Sequence, residues 1–306
     1  MIFTIEYDLS STGEWGRRQT KLFNYKTLES TAIEILHQTF LSAFSDYQVK
    51  VDLPFWKFQK MLQRRGYVTE ISVGAFKNQV LVGFVLNGFR NWNGKLTAYD
   101  AGTGVIGEYR KQGITSSMLL SIRALLKEKK AEQYLLEVIQ SNTSALQLYK
   151  KQGFEIIRHL ACFQLDKNEY IPMTTYKVQH VDKIDSTNWK QFIEFWDFSP
   201  SWQNSIDSIR AVPDTFIVSI VRFDDTIVGY GMIDKKTGDI PQIAVNKHHR
   251  RKGIARSIVT DLLKNTESNK VGVLNVDDQS KPMKDFLLVL GFEYVIGQYE
   301  MILKLT

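Results

Sequence analysis

The sequence predicts a mixed fold of the α+β or mixed α/β class, built as two tandem copies of one domain. Three observations support this prediction. The 306 residues equal about two typical domains of roughly 150 residues each. Strand-like and helix-like patterns alternate only in part along the chain. Short motifs recur in the same order in the two halves of the sequence.

The repeat is clearest in two short basic segments, where valine, arginine, glycine and isoleucine recur at identical spacing 140 residues apart. These residues are Val105, Arg110, Gly113 and Ile114 in one segment and Val245, Arg250, Gly253 and Ile254 in the other. A period this long indicates duplicated domains, because solenoid repeats span about 20 to 50 residues. We therefore expect a first copy over 1–168 and a second copy over 169–306.

Each copy has a similar predicted layout of strands and helices. In the first copy we expect helices over 28–44 and between Pro54 and Gly66, strands at 70–76, 80–88 and 95–105, a helix over 112–130, a strand at 134–139, a helix over 143–151 and strand material at 154–165. In the second copy we expect strands at 215–223, 226–233, 240–246 and 271–276, with helices near 253–265 and 281–289. Residues 1–20 fit no clear place in this layout, and they form either an extra hairpin or an extension.

Composition excludes several classes of protein. With 43% hydrophobic and 24% charged residues, the chain is neither disordered nor collagen-like. No apolar run approaches the roughly 18 to 20 residues that span a bilayer, and the start does not resemble a secretory signal. The single cysteine, Cys162, forms no intrachain disulfide. We expect a cytoplasmic protein that needs neither a membrane nor a metal.

The net charge differs between the two copies, at +7 for the first and −1 for the second. A basic half attracts a polyanion or an anionic cofactor, although an ordinary solvated surface explains it equally well.

The basic segments have the chemistry of a phosphate-binding loop. A strand is expected to end near Val105 and a helix to begin near Gln112, with a glycine that lets the backbone approach a ligand. The unpaired N–H groups and partial positive charge of a helix start suit a pyrophosphate. The predicted loop residues are Arg110, Lys111, Gln112, Gly113, Ile114 and Thr115 in the first copy and Arg250, Arg251, Lys252, Gly253, Ile254 and Ala255 in the second.

A second motif follows the next strand of the first copy. Asn142 is placed to cap a helix, and Ala145 and Tyr149 share one face of it, before Gly153 and Phe154. Combined with the Arg-x-x-Gly loop, this pattern resembles the GNAT superfamily of acetyl-CoA-dependent N-acyltransferases. The second copy matches the loop pattern through Ala255, whereas the first departs from it at Thr115.

The resemblance implies a mostly antiparallel sheet in each domain, with two parallel strands that diverge around acetyl-CoA. In the first copy these strands are 95–105 and 134–139. Backbone groups near Thr103 and Val105, and by repeat near Val245, would bind the cofactor. The Val105 amide is placed to polarise the thioester carbonyl.

The same resemblance assigns Tyr149 as the acid that protonates the departing thiolate. Glu137 is the first candidate for the base that takes a proton from the amine, because it lies on the diverging strand among apolar residues. Three alternatives to Glu137 as the base stay open. Asp100 or Tyr99 takes the proton, Glu137 has a structural role, or the amine is deprotonated through water.

In the second copy the position of Tyr149 is occupied by Leu287, which cannot donate a proton. We therefore expect chemistry in the first copy. The leading function is acetyl transfer to a primary amine of a small molecule or peptide. A non-catalytic acyl-CoA-binding protein is one alternative, and a tRNA-dependent aminoacyl transferase is another. The latter ranks low, because the sequence has no recognised RNA-binding module.

Overall fold

Residues 23–46 and 53–305 are described by the computed structural model. They form two compact units, each assembled from several stretches of chain. Of the described residues, the first unit comprises 23–46, 53–55, Val68–Asn87 and Gly102–Lys129, and the second comprises Trp56–Tyr67, Gly88–Ala101 and 130–305. The unassigned segment 1–20 lies outside the described residues. The boundary at residue 168 divides the sequence repeat and stays a prediction.

The first unit packs an antiparallel sheet against helices. Its elements are β1 (Asn24–Thr27), α1 (Ile33–Ala43), β2 (Val73–Lys77), the first part of β3 (Val80–Trp92), the last part of β4 (Lys95–Val105) and α3 (Ile114–Glu128). The apolar stripe of α3 is buried as predicted. The predicted helix over 28–44 begins only at Ile33, because residues 28–31 form a turn in which the Thr31 N–H donates to the Leu28 carbonyl.

The second unit holds the remaining elements. They are α2 (Phe55–Arg65), β5 (Gln133–Ile139), α4 (Thr143–Lys151), β6 (Glu155–Asp166), β7 (Gln179–His180), α5 (Ser186–Glu194), α6 (Ile206–Arg210), β8 (Phe216–Phe223), β9 (Thr226–Asp234), β10 (Ile243–Val245), α7 (Ile254–Lys264), β11 (Lys270–Asp277), α8 (Lys281–Val289) and β12 (Glu293–Lys304). The sequence patterns placed most of these within a few residues, but they did not reveal β7, α5, α6 or β12.

Strands of the two sequence copies alternate within the second unit. The order there is β5-β12-β6-β11, with every neighbouring pair antiparallel. β12, from the end of the second copy, thus lies between β5 and β6 of the first, and β6 pairs with β11 of the second. Each copy therefore completes its sheet with a strand from the other.

Parallel strands diverge at one place in each copy. β4 and β5 pair in parallel only where Thr97–Tyr99 of β4 lie beside Gln133–Leu135 of β5. In the second copy a single parallel bridge joins Asp239 to Gly272, and β10 and β11 separate beyond it. The predicted fold class is confirmed: the fold is mixed, and its mostly antiparallel sheet contains a parallel pair.

Candidate active site

The basic segment of the first copy forms a tight loop ahead of α3. β4 ends at Val105, two residues beyond Thr103, and Gly113 is the N-cap of the helix with a φ of 77°. Lys111 also has a positive φ, of 61°. This left-handed geometry favours glycine at 113, since a side chain there would be strained. The N–H groups of the first helical turn, from Ile114 onwards, have no partner within the helix.

Arg110 is already engaged by the protein within the first unit. Its Nε donates to the Val105 carbonyl at 3.0 Å, and its Nη atoms donate to the Ala43 carbonyl and to both carboxylate oxygens of Asp46 at 2.6–2.7 Å. The hydrogen bond from Arg110 lowers the pKa of the Asp46 carboxyl. Arg110 thus links the end of β4 to the end of α1. Lys111 and Gln112 stay exposed on the loop.

The second copy reproduces this construction inside the second unit. Gly253 is the N-cap of α7 with a φ of 86°, and Arg251 has a φ of 58°. Arg250 Nε donates to the Val245 carbonyl at 3.0 Å, as Arg110 does to Val105. Its Nη atoms donate to the Phe195 carbonyl at 3.0 Å and pair with Asp197 at 2.9 Å. The loop shape is therefore a property of the repeat.

A cavity of about 810 Å³ opens beside this second loop. It is bounded by β10, β11, α8, the loop at 249–256 and the segment 195–200. Aromatic and aliphatic side chains supply much of the lining, among them Phe195, Trp196 and Phe198 from the segment that follows α5. Its volume falls within the usual range of small-molecule sites.

Several polar groups face this cavity from different elements. Among the described residues His249 Nδ1 and Arg256 Nε are buried without a hydrogen-bond partner. Tyr230, in contrast, is fully satisfied, accepting from Trp196 Nε1 at 2.6 Å and donating to Gln242 Oε1 at 2.9 Å. Burial raises the pKa of Tyr230, so its hydroxyl holds its proton firmly. Arg256 Nε is a donor available to an anionic or carbonyl ligand, and His249 Nδ1 donates or accepts according to its tautomer.

At the opening of β4 and β5, the predicted acid Tyr149 contacts a carboxylate. Its hydroxyl donates to Asp100 Oδ2 at 3.1 Å, and both side chains are buried. Tyr149 lies on α4, whose N-cap Asn142 accepts from the Ala145 N–H at 3.1 Å, as the sequence predicts. Asp100 is the first β4 residue beyond the parallel pairing with β5.

The predicted base Glu137 belongs to a second carboxylate–tyrosine pair. Its Oε2 accepts from Tyr99 Oη at 3.1 Å and from Gln203 Nε2 at 3.0 Å. Its Oε1 is buried and has no hydrogen-bond partner among residues 23–46 and 53–305. Because neighbouring strand residues point to opposite faces, the pairs made by Tyr99 and Asp100 lie on opposite faces of the sheet.

The surroundings of Glu137 favour its protonated form. Burial is the first cause that raises the pKa of Glu137, and the negative charge of Glu300 is the second. The positive charge of Arg65 and the hydrogen bond from Tyr99 act in the opposite direction. The pKa of Tyr99 is also raised, by burial and by the charge of Glu137. A raised carboxyl pKa makes the ionised carboxylate a stronger proton acceptor than an ordinary glutamate.

Comparison with protein families decides what this construction represents. The model described as the acetyltransferase (GNAT) family matches residues 31–154 and again residues 181–292. The chain belongs to the GNAT family. The two matched stretches correspond to the two copies of the repeat, so a tandem GNAT protein is confirmed, and its enzyme class is that of a GNAT-type N-acetyltransferase.

Solved structures share the fold of this GNAT protein over nearly the whole chain. A GCN5-related N-acetyltransferase from Sphaerobacter thermophilus is 14% identical with a TM-score of 0.71, over 92% of this chain and 96% of its own. A tandem GNAT protein from the clavulanic acid biosynthesis pathway is 13% identical with a TM-score of 0.69, over 93% and 99%. A GCN5-related N-acetyltransferase from Anabaena variabilis is 14% identical with a TM-score of 0.53, over 93% of this chain and 73% of its own.

No curated protein sequence matches the chain. None of the helices in the described part of the chain has the length and apolar character to cross a membrane. Within the same residues, no group of three His, Cys, Asp or Glu side chains is arranged to hold a metal ion.

The second GNAT copy differs from the first at three candidate positions for proton transfer. The repeat places Leu287 opposite Tyr149, Asn275 opposite Glu137 and Ile240 opposite Asp100. Leu287 and Ile240 are both 1% exposed and belong to one apolar core cluster. The amide of Asn275 donates to Ser201 and accepts from Gln298. None of the three side chains can serve as an acid or base near neutral pH.

Three contributors near Glu137 were not found from the sequence. Gln203 links Glu137 to Arg65, whose Nη2 donates to Gln203 Oε1 at 3.1 Å. Arg65 Nη1 also donates to the Ala101 carbonyl at 2.6 Å. Trp202 is fully buried and stacks on Tyr99, with ring centroids 4.9 Å apart. Their separation of more than 60 residues from Glu137 leaves no local pattern to detect.

Proposed function

We propose that this GNAT protein transfers an acetyl group from acetyl-CoA to a primary amine of a small molecule or peptide, using residues of the first copy. One observation supports this most strongly. Two carboxylate–tyrosine pairs, Glu137 with Tyr99 and Asp100 with Tyr149, flank the opening between β4 and β5. The second copy has only neutral side chains at the matching positions of Asp100, Glu137 and Tyr149.

Glu137 is the proposed base. An amine must lose a proton during attack, and Glu137 Oε1 is an unpartnered carboxylate atom that can receive it. Hydrogen bonds from Tyr99 and Gln203 hold the other oxygen, so the orientation of the carboxylate is fixed. The raised pKa of Glu137 increases its strength as a base.

Tyr149 is the proposed acid. When bound, acetyl-CoA supplies the acetyl group and a thiolate leaving group that needs a proton. Tyr149 Oη holds a proton that is directed by its contact with Asp100. The base and the acid lie on opposite faces of the sheet, so uptake of one proton and delivery of the other do not compete for one position.

The basic loops are the proposed phosphate sites. The N–H groups at the starts of α3 and α7 point outwards, and a helix N-terminus favours a phosphate. Exposed Lys111 in the first loop, and Arg251 and Lys252 in the second, add positive charge. Arg110 and Arg250 support the site by holding the loop shape, since both are already paired within the protein.

The test is a thiol-release assay in which acetyl-CoA is combined with a panel of amine classes. We expect turnover with one class, and Tyr149→Phe and Glu137→Gln should each lower kcat by about 10²- to 10⁴-fold. Tyr294→Phe, at an exposed tyrosine on β12, is the matched control and should be unchanged. Full activity in both variants would contradict Tyr149 as the acid and Glu137 as the base.

For the second copy we propose that it binds CoA or an acyl-CoA without turnover. The observation that favours this role is the cavity of about 810 Å³ beside an intact loop, in a copy without an acid or base. Calorimetric titration with CoA should give two sites per chain. Gly253→Val should abolish one of them, because the φ of 86° strains any side chain there and Thr175 lies 3.3 Å from the added Cβ.

Gly238→Ala is a control for that titration, because Gly238 also has a positive φ but does not line the cavity. It should lower stability while keeping two sites. A single CoA site in the unmodified protein that survives Gly253→Val would contradict the second binding role. A melting-temperature increase with acetyl-CoA and none with RNA would disfavour the tRNA-dependent alternative.

A further inference from the structure

The hydrogen bond from Tyr149 to Asp100 connects two elements of the first copy. Tyr149 is on α4 and Asp100 is on β4, 49 positions apart in the chain and 3.1 Å apart between Oη and Oδ2. The residues are 7% and 8% exposed, so water competes little for this contact. Phe154 packs against the Tyr149 ring, with centroids 5.6 Å apart, and restricts its rotation. The hydroxyl therefore has a fixed position.

This contact lies where β4 leaves β5. The parallel pairing stops at Tyr99 and Leu135, so Asp100 is the first β4 residue whose backbone faces the opening. Buried carboxylates are costly unless they are paired or used. A purely structural reason for Asp100 would be to satisfy the Tyr149 hydroxyl, but a buried phenol can be satisfied by a backbone carbonyl without a charge.

The second copy shows what happens to Asp100 when the tyrosine is absent. Asp239 makes the parallel bridge that corresponds to Tyr99, and the residue after it is Ile240. Leu287 replaces Tyr149, so both members of the pair are exchanged for aliphatic side chains in one core cluster. The two copies thus contain the whole pair or neither of its members. This joint replacement indicates that the two residues work together.

We infer that Asp100 is a positioning residue for Tyr149 and that the two side chains form one proton-transfer unit. The inference rests on the proposed acetyl transfer. Asp100 accepts a hydrogen bond from the Tyr149 hydroxyl and holds it at the opening, so Tyr149 Oη has a fixed position from which to deliver its proton. When Tyr149 Oη gives that proton to the leaving thiolate, its O–H bond breaks and an S–H bond forms. Water then returns a proton to Tyr149, which balances the proton that Glu137 releases to water.

The test combines a double-mutant cycle with a spectroscopic measurement on the full chain. The variants are Tyr149→Phe, Asp100→Ile, their double mutant and Asp100→Asn. Asp100→Ile introduces the residue that the second copy has at this position. Asp100→Asn keeps the shape of the side chain and replaces Asp100→Ile in the test if that variant does not fold. Asp261→Asn, at a carboxylate that pairs with His180 and Ser219, is the control.

We expect Tyr149→Phe and Asp100→Ile each to lower kcat by about 100-fold or more, with KM changing less than about threefold. The double mutant should be no slower than the slower single variant, because the two residues act as one unit. Asp100→Asn should lower kcat by about tenfold. Independent effects that multiply in the double mutant, or an unchanged kcat in Asp100→Ile, would overturn the inference.

The second readout needs no turnover. In protein labelled with ¹³Cζ-tyrosine, the Tyr149 resonance is identified by its loss in Tyr149→Phe. It should move in Asp100→Asn and stay in place in Asp261→Asn. An unmoved resonance in Asp100→Asn overturns the pairing whatever the activity. If the unmodified protein releases no thiol with any amine, the proposed function is overturned, and the proton-transfer role with it. If the Tyr149 resonance still moves in Asp100→Asn in that case, only the hydrogen bond between the two side chains is supported.

Discussion

Arg158 on β6 and Glu300 on β12 form a two-point ion pair between the two sequence copies. Arg158 Nε lies 2.9 Å from Glu300 Oε2, and Nη2 lies 2.8 Å from Oε1. Glu300 also stands opposite Glu137 of β5 in the strand register, so Glu137, Glu300 and Arg158 form one row across three strands. Residues of the second copy therefore set the charge environment of the candidate base in the first.

Glu300→Gln tests this row. We expect the unfolding free energy to fall by about 3 kcal/mol, because Arg158 loses its main partner in a buried position. The pKa of Glu137 should fall too, since the charge of Glu300 is one of the causes that raise it. The acidic limb of the kcat/KM profile should then move to lower pH.

Asp285→Asn is the control for Glu300→Gln. Its carboxylate pairs with Lys281 at an exposed position, so the unfolding free energy should change by less than about 0.5 kcal/mol. A pH profile that does not move in Glu300→Gln would contradict Glu137 as the group that sets the acidic limb.

Separating the copies tests the exchange of strands. A chain of residues 1–168 lacks β12, which pairs with Gln133–Ile139 on one side and with β6 on the other. We expect this chain to aggregate or to show no cooperative thermal transition, because two strands would expose unpaired edges. Co-expression with residues 169–306 should restore a soluble complex. A monomer of 1–168 that unfolds cooperatively would contradict the prediction.

Glu137→Gln should increase stability while lowering activity. The folded-state pKa of Glu137 is raised above its ordinary value of 4.5, so its stability contribution is full below about pH 4.5 and is lost as the pH rises through the folded pKa. At pH 8 we therefore expect the variant to be more stable than the unmodified protein. Urea unfolding at pH 4 and pH 8 measures this, and an equal effect at both pH values would contradict it.

Arg250 and Arg251 should affect CoA binding to the second copy in different ways. Arg251 is exposed on the loop, whereas Arg250 is paired with Asp197 and the Phe195 carbonyl. Both alanine variants should weaken binding, by about tenfold for a loss of about 1.4 kcal/mol. Only Arg251→Ala should also reduce the dependence of the Kd on salt, because only a direct charge contact is screened. Titration calorimetry at two salt concentrations separates them, and a reduced salt dependence in Arg250→Ala would assign Arg250 to the ligand.

Local patterns predicted most helices and strands because their signals lie within a few residues. The periodicity of α3 and the glycine at position 113 are examples, and the structure has both as predicted. The 140-residue repeat predicted that Gly253 would have the same role, and its φ is within 10° of that of Gly113. β12 was not predicted, and its insertion between β5 and β6, more than 120 residues away in the chain, has no local signal.

The sequence by itself determined the family, the duplication and the exchange of Tyr149 for Leu287 in the second copy, because these depend on residue identity and spacing. Tertiary structure decided which residues meet. It placed Asp100 against Tyr149, Gln203 against Glu137 and Glu300 in the row with Arg158. It also showed that Arg110 and Arg250 are bound within the protein. The physical reason is that hydrogen bonding and burial depend on distances between side chains, which strand pairing fixes and sequence separation does not reveal.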